Sequence, residues 1–76
     1  MLAMPKFPGL SGADIVRALE RLGFELVRQS GSHIIMRRGI SGCVVPNHKE
    51  VKVGTVNGVL RQAGVTPDEF SDALSK

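Results

Sequence analysis

Apolar residues recur every three or four positions in two stretches of the chain, and a segment with alternating apolar residues separates them. In the first stretch, Ile15, Leu19 and Leu22 fall on one side of a helix. Ser11 stands where an N-cap is expected, with an acidic residue three positions later, and Gly23 is typical of a helix end. The pattern therefore predicts an amphipathic first helix that buries a single side.

Two further helices are predicted after the alternating segment. Gly54-Thr55 opens the longer one, with Thr55 as its expected N-cap, and Gly64 closes it. Gly58 lies inside this helix, where glycine costs roughly 1 kcal/mol relative to alanine, so we expect another element to pack closely against it. Thr66, followed by proline and then by glutamate at the third helical position, predicts the start of a short last helix.

Between the helices the period changes toward two, which indicates β-strands. The predicted strands begin at Phe24, run from Ser32 to Arg38, and run from Cys43 to Val45. Strict alternation places Phe24, Leu26 and Arg28 on one face of the first strand. The short glycine-containing turns favour an antiparallel meander. We expect an α+β fold in which both main helices cover one face of a three-stranded sheet and leave the other face open.

The length of the chain, 76 residues, allows one small domain. A chain of this size buries only about 60% of the surface that its unfolded form exposes, which excludes an architecture of two cooperating domains. Residues 1–10 contain two prolines and no periodicity, so they are predicted to form an extended N-terminal arm. Residues 11–76 are predicted to form the single folded domain.

Positive charge is concentrated in the predicted domain. Residues 1–64 carry nine Lys and Arg against four Asp and Glu, a net charge of +5, whereas residues 65–76 carry one against three, a net charge of −2. The basic part suits a polyanionic partner. Cys43 is the single cysteine and cannot form an intrachain disulfide, so a reducing compartment is expected. Without a signal peptide or an apolar run of about 20 residues, the expected location is the cytoplasm, away from membranes.

His33 is the first candidate for chemistry. Alternation places His33, Ile35 and Arg37 on the same face of the second strand. An imidazole can move a proton near neutral pH, and a guanidinium can stabilise the negative charge that develops on a phosphodiester. The alternative is a surface histidine without a role, and the pattern by itself favours that alternative.

His48 and several cations could extend the same site. His48 is a candidate second acid, base or phosphate contact, and a histidine that merely caps a turn is an equal alternative. The residues Arg37, Arg38, Lys49 and Lys52, with Arg61, form the candidate basic surface. Cys43, His48 and His33 are spaced too irregularly for a structural zinc site, so Cys43 is expected to be a core residue and no metal or cofactor is predicted.

Four motifs occur together in an order that resembles a known family. They are Gly31-Ser-His33, Val45-Pro-Asn-His48, Gly54-Thr55 and Leu60-Arg-Gln-Ala-Gly64. The chain in this respect resembles the HicA (YcfA-like) toxins of bacterial type II toxin–antitoxin systems. The resemblance implies a double-stranded-RNA-binding-like fold, α-β-β-β-α, and an mRNA interferase, an endoribonuclease that arrests translation. It also implies that His33 is the catalytic histidine and that a HicB antitoxin covers the active face.

The predicted reaction is RNA cleavage without a metal ion, in which the ribose 2′-hydroxyl attacks the adjacent phosphate. His33 would act as acid or base, while His48, Ser32 or the substrate shares the proton transfer. Two alternatives are a non-catalytic binder of double-stranded RNA and a protein-interaction module. The binder usually needs cations at the start of its last main helix, and here none occurs before Arg61. The module would use the apolar residues 34–36.

Overall fold

The order of helices and strands follows the prediction. The structure, a computed structural model, describes Phe7 and residues 9–76. Its elements are α1 (Gly12–Arg21), β1 (Glu25–Ser30), β2 (His33–Arg38), β3 (Ser41–Pro46), α2 (Val53–Ala63) and α3 (Pro67–Leu74). The α+β fold with one three-stranded antiparallel sheet is therefore confirmed. Within this described part of the chain, no helix has the length and apolar character needed to cross a membrane.

The sheet has the simplest order, β1-β2-β3, with β2 in the centre. Both neighbours of β2 are antiparallel to it, and on the β3 side the pairing runs without interruption from His33 with Pro46 to Arg38 with Ser41. On the β1 side the register shifts between Leu26 and Arg28, which is a β-bulge. Because of this bulge, the side chains of β1 that follow it point to the opposite sheet face from the one that strict alternation gives.

The first helix begins and ends where the sequence predicts. The Ser11 hydroxyl accepts a hydrogen bond from the backbone N–H of Asp14, and the Asp14 carboxylate accepts one from the N–H of Ser11. These two bonds form a capping box. Gly23 follows the C-cap residue with φ of 97°, a left-handed conformation that glycine adopts without strain.

The start of α2 differs from the prediction. The helix begins at Val53 with Lys52 as its N-cap, so the prediction of Thr55 as N-cap is wrong. The N–H of Val56 donates to the carbonyl of Lys52 over 2.9 Å, so helical bonding starts three residues before the predicted cap. The prediction that another element packs closely against Gly58 is also wrong, because a Cβ at this position would meet no atom within 4 Å. Nothing in the structure explains this glycine.

The core lies between the helices and one face of the sheet. Its buried side chains include Ile15 and Leu19 of α1, Met36 and Val45 of the sheet, and Phe70 of α3. Both main helices contact the sheet from this side, and α3 packs on α1. The opposite sheet face is uncovered within the described part of the chain.

Phe7 belongs to this core although it falls inside the predicted arm. Its ring is buried and meets the ring of Phe70 edge-on, with centroids 5.1 Å apart and an angle of 88° between the planes. The predicted arm thus supplies at least one core side chain. Of its other residues, 1–6 and 8 lie outside the described part of the chain, and 9 and 10 form a short connection to α1. The boundary at Ser11 stays a prediction.

Candidate active site

The uncovered face of the sheet presents three rows of paired residues, one from each strand. The rows are Ser30–His33–Pro46, Arg28–Ile35–Val44 and Glu25–Arg37–Gly42. We call these nine residues the open face. Paired residues in an antiparallel sheet share a face, so His33, Ile35 and Arg37 lie together as the alternation predicts. His33 and Arg37 are both exposed, and the half-buried Ile35 lies between them.

Arg28 joins the open face because of the bulge. Strict alternation places it with Leu26, and that prediction is wrong: Leu26 pairs with Met36, whereas Arg28 pairs with Ile35. The extra residue, Val27, takes up one position in β1 and moves Arg28 to the other face. The sequence offered one signal for this bulge, because the adjacent apolar residues Leu26 and Val27 break the alternation. The open face therefore has a second arginine near the row that contains His33.

The loop that carries His48 is held by main-chain contacts. The N–H of Asn47 donates to the carbonyl of Ser32 over 2.6 Å, which extends the pairing beyond β3. The N–H of Gly12 donates to the carbonyl of His48 over 2.9 Å. A Cβ at Gly12 would lie 2.8 Å from the Cα of Asn47 and would collide with the carbonyl oxygen of Pro46. The first residue of α1 thus fixes this loop beside the start of β2.

A shallow cavity of about 270 Å³ lies at the end of β3. It is lined by Pro46, His48, Glu50, Val51, Lys52 and Thr55. Pro46 is also the direct strand partner of His33, which does not itself line the cavity. His48 and Lys52 therefore share a cavity with the strand partner of His33, while Lys49 is exposed in the same loop.

Arg38 lies elsewhere, although it follows Arg37 directly. Its guanidinium donates to the carbonyl of Leu22 over 2.7 Å and lies 4.6 Å from the centroid of the Phe24 ring. These contacts hold the side chain against the end of α1. The predicted RNA contact at Arg38 has no support from this position, and the structure brings together His33, Arg37 and Arg28 instead.

The two remaining candidates, Ser32 and Cys43, lie in different places, one in the turn before β2 and the other in the core. Ser32 is exposed in that turn, where its carbonyl accepts the bond from Asn47. Cys43 is buried on the helix-covered face, and burial raises the pKa of its thiol to about 11. The thiol consequently stays neutral at physiological pH, as expected of a core residue. No cluster of three or more His, Cys, Asp or Glu side chains suited to a metal ion occurs among residues 7 and 9–76.

Comparison with known proteins gives one family. A family model described as "HicA toxin of bacterial toxin-antitoxin" matches residues 12–65, which is more than half of the chain. The matched segment runs from the start of α1 to just beyond α2 and contains His33, His48 and the cavity. No curated protein sequence matches the chain at a significant level.

Proposed function

Because the chain belongs to the HicA toxin family of bacterial toxin–antitoxin systems, we propose that it is an endoribonuclease that cleaves messenger RNA. One observation carries the proposal: His33 is exposed on the open face, and Arg37 and Arg28 lie on that same face. Cations on an uncovered surface attract a polynucleotide, and the imidazole lies where the strand would pass. The proposed place of action is the bacterial cytoplasm, where messenger RNA is translated.

In the proposed reaction the ribose 2′-oxygen attacks the adjacent phosphorus and the bond from phosphorus to the 5′-oxygen breaks. The products are a 2′,3′-cyclic phosphate and a free 5′-hydroxyl, and one proton moves from the attacking oxygen to the leaving oxygen. His33 either removes this proton or delivers it. His48, Ser32 or a group of the substrate does the other half of the transfer, because a single imidazole cannot do both at once.

Arg37 and Arg28 stabilise the charge that develops on the phosphate during attack. A guanidinium is always protonated and presents several N–H donors that match phosphate oxygens. Lys49 and Lys52 hold neighbouring phosphates along the loop. Proton transfer and fixed positive charge account for every step, so we propose that cleavage needs no metal ion and persists in the presence of EDTA.

The partner is proposed to be a HicB-like antitoxin that covers the open face. Family membership establishes that the chain is the toxin of a toxin–antitoxin pair. The open face also carries Val44, which is 39% exposed, beside the half-buried Ile35. Two arginines, Arg28 and Arg37, accompany these apolar side chains against the single carboxylate of Glu25, and this combination suits a protein that is itself acidic. Occupation of this face would remove His33 from reach of RNA.

The test is cleavage of a defined RNA by the wild-type protein and by His33→Ala. We expect the substitution to lower the cleavage rate by roughly 10²- to 10⁴-fold, because general acid–base catalysis contributes that much. An RNA with a 2′-deoxyribose at the scissile position should resist the wild-type protein. Gln29→Ala is the matched control, since Gln29 is an exposed polar residue of β1 that is paired on the other face of the sheet.

Each contrary outcome identifies what is wrong. A folded His33→Ala protein that cleaves at the wild-type rate would remove His33 from the mechanism. Cleavage of the 2′-deoxy substrate would exclude attack by the 2′-hydroxyl. Binding of duplex RNA without any cleavage by the wild-type protein would favour the non-catalytic binder, and absence of both would leave a protein-interaction module.

A further inference from the structure

One residue that lines the cavity at the end of β3, Glu50, carries a carboxylate that the proposed chemistry does not use. Glu50 lines this cavity together with His48 and Lys52. A carboxylate repels phosphate, so its presence beside a surface that holds RNA is unfavourable unless it accepts hydrogen bonds from the substrate. Within the described part of the chain the one ion pair joins Arg17 to Asp14, so the carboxylate of Glu50 is not engaged by Lys49 or Lys52.

The size of the cavity suits a single small group. Its volume of about 270 Å³ is just below the usual range for small-molecule sites, roughly 300–1,000 Å³. Its lining combines Pro46 and the buried Val51 with the polar residues Glu50, Thr55 and His48. Apolar surface with a few convergent hydrogen-bonding groups is how unpaired bases of single-stranded RNA are recognised.

The position of the cavity relates it to the bond that is cleaved. Pro46 lines the cavity and is also the strand partner of His33. Directly paired residues in an antiparallel sheet have their Cα atoms about 4.5–5.5 Å apart. A phosphate at His33 would therefore lie one strand pair away from a lining residue of the cavity, a span that the base of an adjoining nucleotide can cover.

We propose that this cavity is a nucleobase subsite that selects guanine beside the scissile phosphate, and that Glu50 is its specificity-determining residue. Guanine is the RNA base that presents two adjacent N–H donors, N1–H and the 2-amino group, on its Watson–Crick edge. Two donors match the two oxygens of a carboxylate in a bidentate contact. Adenine and cytosine offer one amino group there, and uracil offers one ring N–H. This inference rests on the proposed ribonuclease function.

The experiment maps the cleavage sites of wild-type protein, Glu50→Gln and Glu20→Gln in an RNA of random sequence. We expect the wild-type protein to prefer guanine at one fixed position beside the cleaved bond by roughly 5- to 150-fold, the range that one bidentate contact provides. Glu50→Gln should lose this preference. Glu20→Gln removes the same charge from the exposed side of α1, away from the cavity, and should keep it.

Substitution of inosine for guanine sharpens the test, because inosine keeps N1–H and lacks the 2-amino group. An intermediate preference for inosine supports the bidentate contact. No base preference in the wild-type protein, or an undiminished guanine preference in Glu50→Gln, would overturn the inference while leaving the ribonuclease proposal intact.

A binding measurement separates this inference from the proposed function. Guanosine monophosphate, added to the isotope-labelled wild-type protein, should shift the backbone amide signals of residues 48–52, and adenosine and uridine monophosphates should shift them less. If the protein cleaves no RNA but guanosine monophosphate binds there, the ribonuclease proposal fails and the base subsite stands. If neither cleavage nor selective binding occurs, both fail.

Discussion

The two faces of the sheet are built from neighbouring residues and serve different purposes. Along β2, Ile34 and Met36 are buried against the helices, whereas His33, Ile35 and Arg37 lie on the open face. Every second side chain contributes to stability, and the side chains between them are free to meet a substrate. Stability and chemistry therefore depend on different residues of one strand, and adjacent substitutions should separate the two properties.

The largest expected difference concerns two adjacent valines. Val45 is fully buried and Val44 is 39% exposed on the open face. Val45→Ala should lower the free energy of unfolding by about 2–3 kcal/mol, from two lost buried methylene equivalents and the cavity left behind. Val44→Ala, the matched control, should change it by less than about 1 kcal/mol. Urea denaturation of both variants checks this, and equal losses would show that both faces are packed in solution.

The adjacent arginines provide the second comparison. Arg37→Ala should slow RNA cleavage by roughly 10- to 100-fold, the value of a hydrogen bond to a charged group, and leave stability almost unchanged. Arg38→Ala should have the opposite effect, a loss of about 0.5–1.5 kcal/mol of stability with little change in rate, because it breaks the contacts with Leu22 and Phe24. Cleavage rates and denaturation midpoints measured on both variants test these two expectations. A larger loss of cleavage activity in Arg38→Ala than in Arg37→Ala would indicate that the RNA contacts Arg38 rather than Arg37.

The smallest expected effect concerns the N-terminal cap of α1, on the covered side. Hydrogen bonds from the backbone and the hydroxyl of Ser11, together with Arg17, lower the pKa of Asp14 below its ordinary 3.8. The ionised carboxylate therefore stabilises the fold above pH 3.8, and this contribution disappears as pH falls through the lowered pKa. Asp14→Asn should weaken the acid dependence of the denaturation midpoint and leave cleavage at neutral pH unchanged. A midpoint that follows pH as in the wild-type protein would contradict this.

Local signals explain which parts of the fold could be predicted. The caps at Ser11 and Thr66 depend on residues three positions away, and the faces of β2 depend on alternation alone. The bulge at Val27 could not be placed, because it depends on how β1 pairs with β2 over the core. Phe7 was missed for a similar reason, since its partner Phe70 is distant in the sequence.

The site could be predicted in part for the same reasons. The common face of His33 and Arg37 follows from their spacing, whereas Arg28 required the register of a neighbouring strand. The cavity containing Glu50 depends on the path of a loop between β3 and α2. Alternation gives no information about such a loop. The start of α2 was predicted wrongly for the same reason, because no periodic pattern marks where this loop ends.

The contact at Gly12 has a consequence for how the toxin can diverge. The loop from Pro46 to His48 is fastened by backbone atoms of α1 and of Ser32, and its side chains take no part in that attachment. Substitutions at 48–50 should therefore leave this attachment in place, and under the proposed function they would change the RNA preference without loss of stability. Gly12 itself has no such freedom, because a Cβ there would collide with the backbone of Pro46 and Asn47.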